Sequence, residues 1–283
     1  MAQLGKRNTL RIVREAPPGL YLDGGTHGEI LLPGRYIPPG AAPGGTIDVF
    51  VYRDSEDRLV AITETPLVMV GECACLRVVS VKPNVGAFLS WGLEKDLLLP
   101  LREQTRTLRP FDWVVVHVAI DPKSDRIIAS ARLNRWLDLT PPEYAEGQAV
   151  KLLIESETPL GYRAIINHAH HGLLYHSDLG APLAIGLAVD GYVRTVRPDG
   201  KIDLALDPVG YRRIGPLTEQ ILEALEAAGG QIRFHDKTPP EEIRATFGVS
   251  KKVFKQAIGA LYREHRIRIE PDGIRVASAH VKR

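Results

Sequence analysis

A motif that recurs at one domain length constrains this chain more than its composition does. Gly86, Phe88 and Leu89 form a glycine–spacer–aromatic–leucine tetrad, and Pro100 closes an acidic-then-aliphatic run fourteen residues after that glycine. Gly19, Tyr21 and Leu22 repeat the tetrad, and Pro33 again stands fourteen residues beyond its glycine. Each copy runs on into a hairpin whose turn carries an Asp-Arg pair, Asp57 with Arg58 and Asp125 with Arg126, offset by 68 residues against 67 for the glycines. A third, more divergent copy begins at Gly161; Tyr175 stands fourteen residues on, behind Leu173 and Leu174, and the closing hairpin turns at Pro198, Asp199 and Gly200. One supersecondary unit used three times fixes the architecture before any site is considered, and the copies cover roughly two thirds of the chain.

Within each copy apolar residues alternate over short runs, Ile47, Val49 and Val51 in the first and Val114, Val116 and Val118 in the second. That is the period of strands with one buried face. Five or so strands in about 65 residues are too few for two packed sheets, and closure into a barrel removes the exposed edges. After Pro216 the period becomes helical. Leu217, Ile221, Leu222 and Leu225 mark a helix with Thr218 near its start and Gly229 and Gly230 as its stop. Pro239 and Pro240 open a second short helix ending at Phe247, with Glu241 and Glu242 favouring its dipole. Ser250 caps a third helix through about Glu264, whose apolar stripe is Val253, Phe254, Ala257, Ile258 and Leu261. A hairpin turning at Pro271, Asp272 and Gly273 follows, and the order is that of a winged helix.

Hydrophobic content of 44% against 25% charged is ordinary for a folded soluble chain of 283 residues. Glu72 breaks the apolar stretch from Leu67 to Leu76, no segment could span a bilayer, and the N-terminus lacks a signal-peptide core. A cytoplasmic protein without membrane contact is expected. Residues 207–283 carry 14 Lys and Arg against 10 Asp and Glu, a net +4, which leaves a net −2 for residues 1–206. The tail is the more basic part.

Residues 78–89, from Val78 through Lys82 and Gly86 to Phe88 and Leu89, resemble the second-strand signature of the S1-type RNA-binding domain, an OB-fold barrel. Gly172, Leu173, Leu174, Tyr175, His176, Ser177, Asp178 and Leu179 are similar to its third strand and following turn. The order of three such units, with Trp91, Gly92, Leu93, Glu94 and Lys95 in the second and a helical C-terminal module, resembles the conserved virulence factor B family of bacterial RNA-binding proteins. The expected fold is mainly β with an α+β tail: three tandem S1-like OB-fold five-stranded barrels at 1–65, 66–143 and 144–208, then a winged helix at 209–283. The resemblance implies single-stranded RNA as partner and regulation of gene expression at the post-transcriptional level. A DNA-binding transcriptional regulator whose winged helix reads duplex, or an adaptor docking on the ribosome or polymerase, is the alternative.

An OB barrel binds single strands by stacking bases on exposed aromatic rings while basic groups follow the phosphates. The position two after the repeat glycine is Tyr21, Phe88 and Arg163, and Tyr162, Tyr175 and His176 complete the candidate platform of the third copy. The resemblance carries the contact roles over most directly to Phe88 and Tyr175. Trp91, beside the turn glycine Gly92, is expected to cover a barrel end. Lys251, Lys252, Lys255 and Gln256 lie opposite the apolar stripe of the third tail helix and Arg263 extends them, a face suited to phosphate contacts. Cys73 and Cys75 share one strand face as structural cysteines, and His168 and His170 are expected on one strand face without a metal. No phosphate loop, dinucleotide fingerprint or nucleophile elbow occurs, so neither an enzyme nor a cofactor is expected.

Overall fold

A computed structural model describes residues 1–179, 181–207 and 211–277, side chains of 211–216 excepted. The first barrel is closed by β1 (Arg7–Ala16), β2 (Gly19–Asp23), β3 (Glu29–Pro33), β4 (Thr46–Arg53) and β5 (Leu59–Ile62), in the order β1-β2-β3-β5-β4. The second, of β6 (Cys73–Lys82), β7 (Gly86–Ser90), β8 (Leu97–Pro100), β9 (Trp113–Ile120) and β10 (Ile127–Ser130), closes in the same circular order. So does the third, of β11 (Ala149–Thr158), β12 (Gly161–Ile166), β13 (His170–Tyr175), β14 (Ala188–Val196) and β15 (Ile202–Ala205). In each, the last strand returns parallel to the third, pairing Leu31 with Val60, Leu98 with Ile128 and Leu173 with Asp203.

The fourteen-residue spacing is a hairpin register read along the chain. Gly19, Gly86 and Gly161 lie opposite Pro33, Pro100 and Tyr175. A Cβ on these glycines would sit 2.1, 2.2 and 2.0 Å from the carbonyl oxygens of Leu32, Leu99 and Leu174, so the close strand approach excludes any side chain.

Alternation builds the barrel cores as expected. Ile47, Val49 and Val51 meet Leu20, Leu22, Ile30 and Leu32 inside the first barrel, and each fully buried leucine contributes about 2 kcal/mol. One buried face per strand does not hold for β4 and β9. Phe50, Tyr52 and Ile62 point out of the first barrel yet are buried, because they share a cluster with Trp91 and Leu93 of the second. Trp91 meets Phe50 edge-on with centroids 5.8 Å apart, and its Nε1 donates to the Lys95 carbonyl at 2.6 Å. It seals a seam between the two barrels while sharing a cluster with Leu89 and Leu97 of the second barrel's own core. On β9 the outward Val115, His117 and Ala119 are also buried, with the His117 ring stacked on Trp136 at 4.9 Å.

The turns marked by the Asp-Arg pairs reach each other across this seam. Arg126 binds Asp57 and Arg53 binds Asp125. Lys95 ties the same turn down by donating to the carbonyls of Arg53 and Asp54 at 3.0 and 2.7 Å.

In the tail, α1 (Tyr211–Ala227) begins earlier than the start expected near Leu217, and Thr218 is buried within it. Gly229 and Gly230, at φ 73° and 96°, end it, and the Gly230 N–H donates to the Leu225 carbonyl at 2.7 Å. After β16 (Gln231–Ile232) and α2 (Pro240–Phe247), Ser250 caps α3 (Lys251–Arg263) by accepting from the Val253 N–H at 3.4 Å. The hairpin of β17 (Ile267–Glu270) and β18 (Gly273–Val276) joins β16 in a sheet of order β16-β18-β17. Leu217, Ile221, Leu225, Ile243, Phe254, Ile258 and Leu261 share its core. The expected break at 208/209 lies outside the described residues. No helix among the described residues is long and apolar enough to cross a membrane.

Candidate nucleic-acid interface

Strand parity puts the second residue after each repeat glycine on the outside of its barrel. Tyr21, Phe88 and Arg163 are accordingly half-buried between inward Leu20 and Leu22, Ala87 and Leu89, Tyr162 and Ala164. Each has an aliphatic neighbour on the next strand: Leu31, Leu98 and Leu173. In the first barrel the Arg14 guanidinium lies 3.7 Å from the Tyr21 ring centre, and Glu29 holds it there at 2.6 Å. In the second the Lys82 ammonium lies 5.1 Å from the Phe88 ring centre. Both barrels thus offer a ring beside a cation, the pairing that suits a base and its phosphate.

The third barrel is built differently. Its β11 strand bulges at Glu155, where the first two barrels bulge at the exposed Val13 and Val79. Burial raises the pKa of the Glu155 carboxyl, but hydrogen bonds from His171 and Arg163 outweigh it and hold the carboxyl below the usual range. Arg163 is therefore tied at one end to a buried carboxylate, with His171 Nε2 3.2 Å from the other oxygen. Tyr175 is fixed through its hydroxyl, which donates to Asp203 at 3.2 Å and accepts from Arg197. Arg197 and Asp203 are themselves 3.0 Å apart, so the half-buried Tyr175 ring is held rigidly beside a charged pair.

Tyr162 does not belong to the platform. It is 3% exposed and lies in the core cluster of the third barrel, because the parity that turns Arg163 outward turns its neighbour in. His176 is exposed, with Nε2 3.1 Å from the Thr158 carbonyl and its ring 5.2 Å from that of Tyr162. It borders a cleft of about 330 Å³ lined also by Glu157, Leu179 and Arg244. The other histidines part company. His168 sits in the β12–β13 turn at φ 62°, so it does not share a strand face with His170, which is buried with Tyr144 and Thr140 on its two ring nitrogens. Cys73 is buried and Cys75 half-buried, neither is in a disulfide, and burial pushes the Cys75 thiol up.

On α3 the residues opposite Phe254, Ala257, Ile258 and Leu261 are solvent-facing. Lys252, Lys255, Gln256 and Arg263 are exposed and Lys251 is half-buried. None of the three lysines forms an ion pair with a described residue. Arg266 and Arg268 continue the exposed basic run.

The repeat does not point to the two most exposed aromatic side chains among the described residues, Phe111 at 67% and Trp113 at 61%. Neither belongs to the repeated motif. Their signal was their spacing, two aromatic residues at strand period just before a valine-rich strand.

Comparison with known proteins matches residues 219–276 to the CvfB-like winged helix domain and residues 4–64 to the S1 domain. The S1 match falls on the first barrel. The chain is similar, at 26% identity over 280 residues, to the uncharacterized protein YitL of Bacillus subtilis, covering 93% of this chain and 90% of that one. It is 25% identical over 233 residues to conserved virulence factor B of Staphylococcus epidermidis, and 22% identical over 228 residues to that of Staphylococcus aureus, covering 78% of this chain and 76% of the relative in both cases. A crystal structure of a multidomain protein with nucleic acid binding domains from Streptococcus pneumoniae is 24% identical, covers 96% of this chain and 98% of its own, and has a TM-score of 0.40.

Proposed function

We propose that this chain, which belongs with the conserved virulence factor B proteins, holds single-stranded RNA on the outer faces of its consecutive S1-type barrels. It acts by binding and not by catalysis, in the cytoplasm, as a post-transcriptional regulator of gene expression. Nucleic-acid binding is the coarser reading, supported by the S1 and winged-helix matches. The finer reading, single-stranded RNA, is carried by one observation: an outward ring or guanidinium recurs at the same strand position of all three barrels. Such sites are individually weak. Held along one chain they raise each other's effective concentration, which turns weak stacking into useful affinity.

A second reading draws on α3, whose lysines form no ion pair with a described residue and suit duplex phosphates or an acidic protein surface. Competition between labelled single-stranded RNA and duplex DNA, repeated over a salt series, separates the two. Tighter binding of RNA, weakening as salt rises, is the expected result; equal or tighter duplex binding moves the DNA-binding reading ahead. Changing Lys251, Lys252 and Lys255 to glutamine should weaken all sequences alike and flatten the salt dependence, because phosphate contacts position a strand without reading it. Unchanged RNA affinity in that variant would assign α3 to a protein partner.

A further inference from the structure

The strongest departure from the internal repeat lies at the start of β9. The Phe111 N–H donates to the Val78 carbonyl at 2.8 Å, and the Asp112 carbonyl accepts from the Val78 N–H at 2.8 Å. Gly44 and Gly186 make the corresponding bonds to Ile12 and Ile154, at 2.9 and 2.7 Å, with Gly45 and Leu187 accepting the return bonds. The three positions are equivalent, and all have positive φ: 91° at Gly44, 75° at Phe111 and 85° at Gly186. Two barrels use the residue that takes this backbone without strain; the second uses phenylalanine.

The barrel does not need that ring for its core, since Phe111 is 67% exposed. Trp113, two residues on and 61% exposed, pairs with Arg77 and stands where the sister barrels have Thr46 and Ala188. Both aromatic substitutions within the repeat therefore fall on one surface. Guanidinium groups are interleaved with them. Arg77 lies 4.6 Å from the Phe111 ring centre, Arg106 donates to the Trp113 carbonyl at 3.2 Å, and Arg109 is exposed beside them. Arg77 also pairs with Ser90 on β7, two residues from Phe88, so this surface continues from the one that carries Phe88.

A strained backbone that presents a large ring to water is costly to the protein alone, and such features persist where a ligand uses them. Largely exposed rings set among guanidiniums fit unstacked bases and the phosphates between them. We propose that Phe111 and Trp113 form a second stacking station on the second barrel, which extends a bound single strand from Phe88 across Arg77 and around the barrel. This rests on the RNA-binding reading above.

The test uses the full chain, the double variant Phe111→Gly with Trp113→Thr, which restores the residue types of the first barrel, and Phe88→Ala. Each is titrated with a fluorescein-labelled single-stranded oligouridylate. The double variant should bind about tenfold more weakly or worse, with its melting temperature unchanged or raised because glycine relieves the φ strain. Tryptophan emission of the wild type should be quenched by RNA and that of the variant should not, since Trp91 is sealed in the seam and Trp136 is stacked on His117. Unchanged affinity in the double variant, with weakened affinity in Phe88→Ala, overturns the second station and leaves the RNA-binding reading standing. Absence of RNA binding by the wild type overturns both. A lowered melting temperature in the double variant makes the rings structural and likewise overturns the proposal.

Discussion

At the residue scale, exposure separates candidates that look alike in the sequence. Phe88 is half-buried with Lys82 beside it, whereas Tyr162 is sealed in the core of its barrel. Replacing Phe88 and Tyr175 together by alanine should cost RNA affinity about 1–3 kcal/mol per lost stack while the unfolding midpoint stays near wild type. Tyr162→Ala should do the reverse, costing about 3 kcal/mol of stability or more in denaturant titrations because it leaves a core cavity. If Phe88→Ala and Tyr175→Ala collapse the fold instead, those rings are packing residues. Arg163 illustrates a different limit. Its outward position is legible from its distance to Gly161, but its commitment to Glu155 is not, because Glu155 enters the site through a bulge in another strand.

At the element scale, the repeat glycines are places where two strands come closer than a side chain permits. Gly161→Ala puts a Cβ about 2.0 Å from the Leu174 carbonyl oxygen, and the resulting shift should destabilise the chain by roughly 1–3 kcal/mol. Gly34→Ala is the control. Its Cβ would meet nothing nearer than the Pro18 carbonyl oxygen at 3.4 Å, and its cost should stay within about 0.5 kcal/mol. Equal unfolding midpoints for the two variants would show that the barrels absorb the added methyl by relaxing, and the account of the fourteen-residue spacing would fail. The bulges in β1, β6 and β11 recur at matching positions, on valine in the first two (Val13, Val79) and on a carboxylate in the third (Glu155). No local sequence pattern marks them.

At the scale of the whole molecule, the first two barrels share a buried seam and a clasp of crossed ion pairs. Hydrogen bonding from Arg126 lowers the pKa of the Asp57 carboxyl below its usual value. A carboxyl depressed in the folded state contributes stability that is present above its unfolded pKa and is lost as pH falls through the folded one. Thermal melts of the full chain should therefore drop on acidification below about pH 4, and Asp57→Asn should drop less. The pair is solvent-exposed, so the difference should be modest and should shrink in high salt. Identical acid profiles for the two proteins would mean that the apolar seam alone holds the barrels together.

The internal repeat, its hairpin registers, the winged-helix order and the outward parity of Tyr21, Phe88 and Arg163 were determined by the sequence, because each depends on spacing between residues near in the chain. The early start of α1 was not legible, since the apolar stripe begins only at Leu217. Burial of Phe50, Tyr52 and Trp91 in a seam was decided by tertiary structure alone: whether an outward face meets water or another barrel depends on chain far away in sequence. Likewise, Asp57 and Asp125 look like two copies of one turn signal until folding brings each opposite the arginine of the other barrel. Phe111 holds the same lesson in one residue. A positive φ belongs to the hydrogen-bonded frame around Val78 and not to phenylalanine, so only the folded barrel could show that a ring stands where its sisters keep glycine.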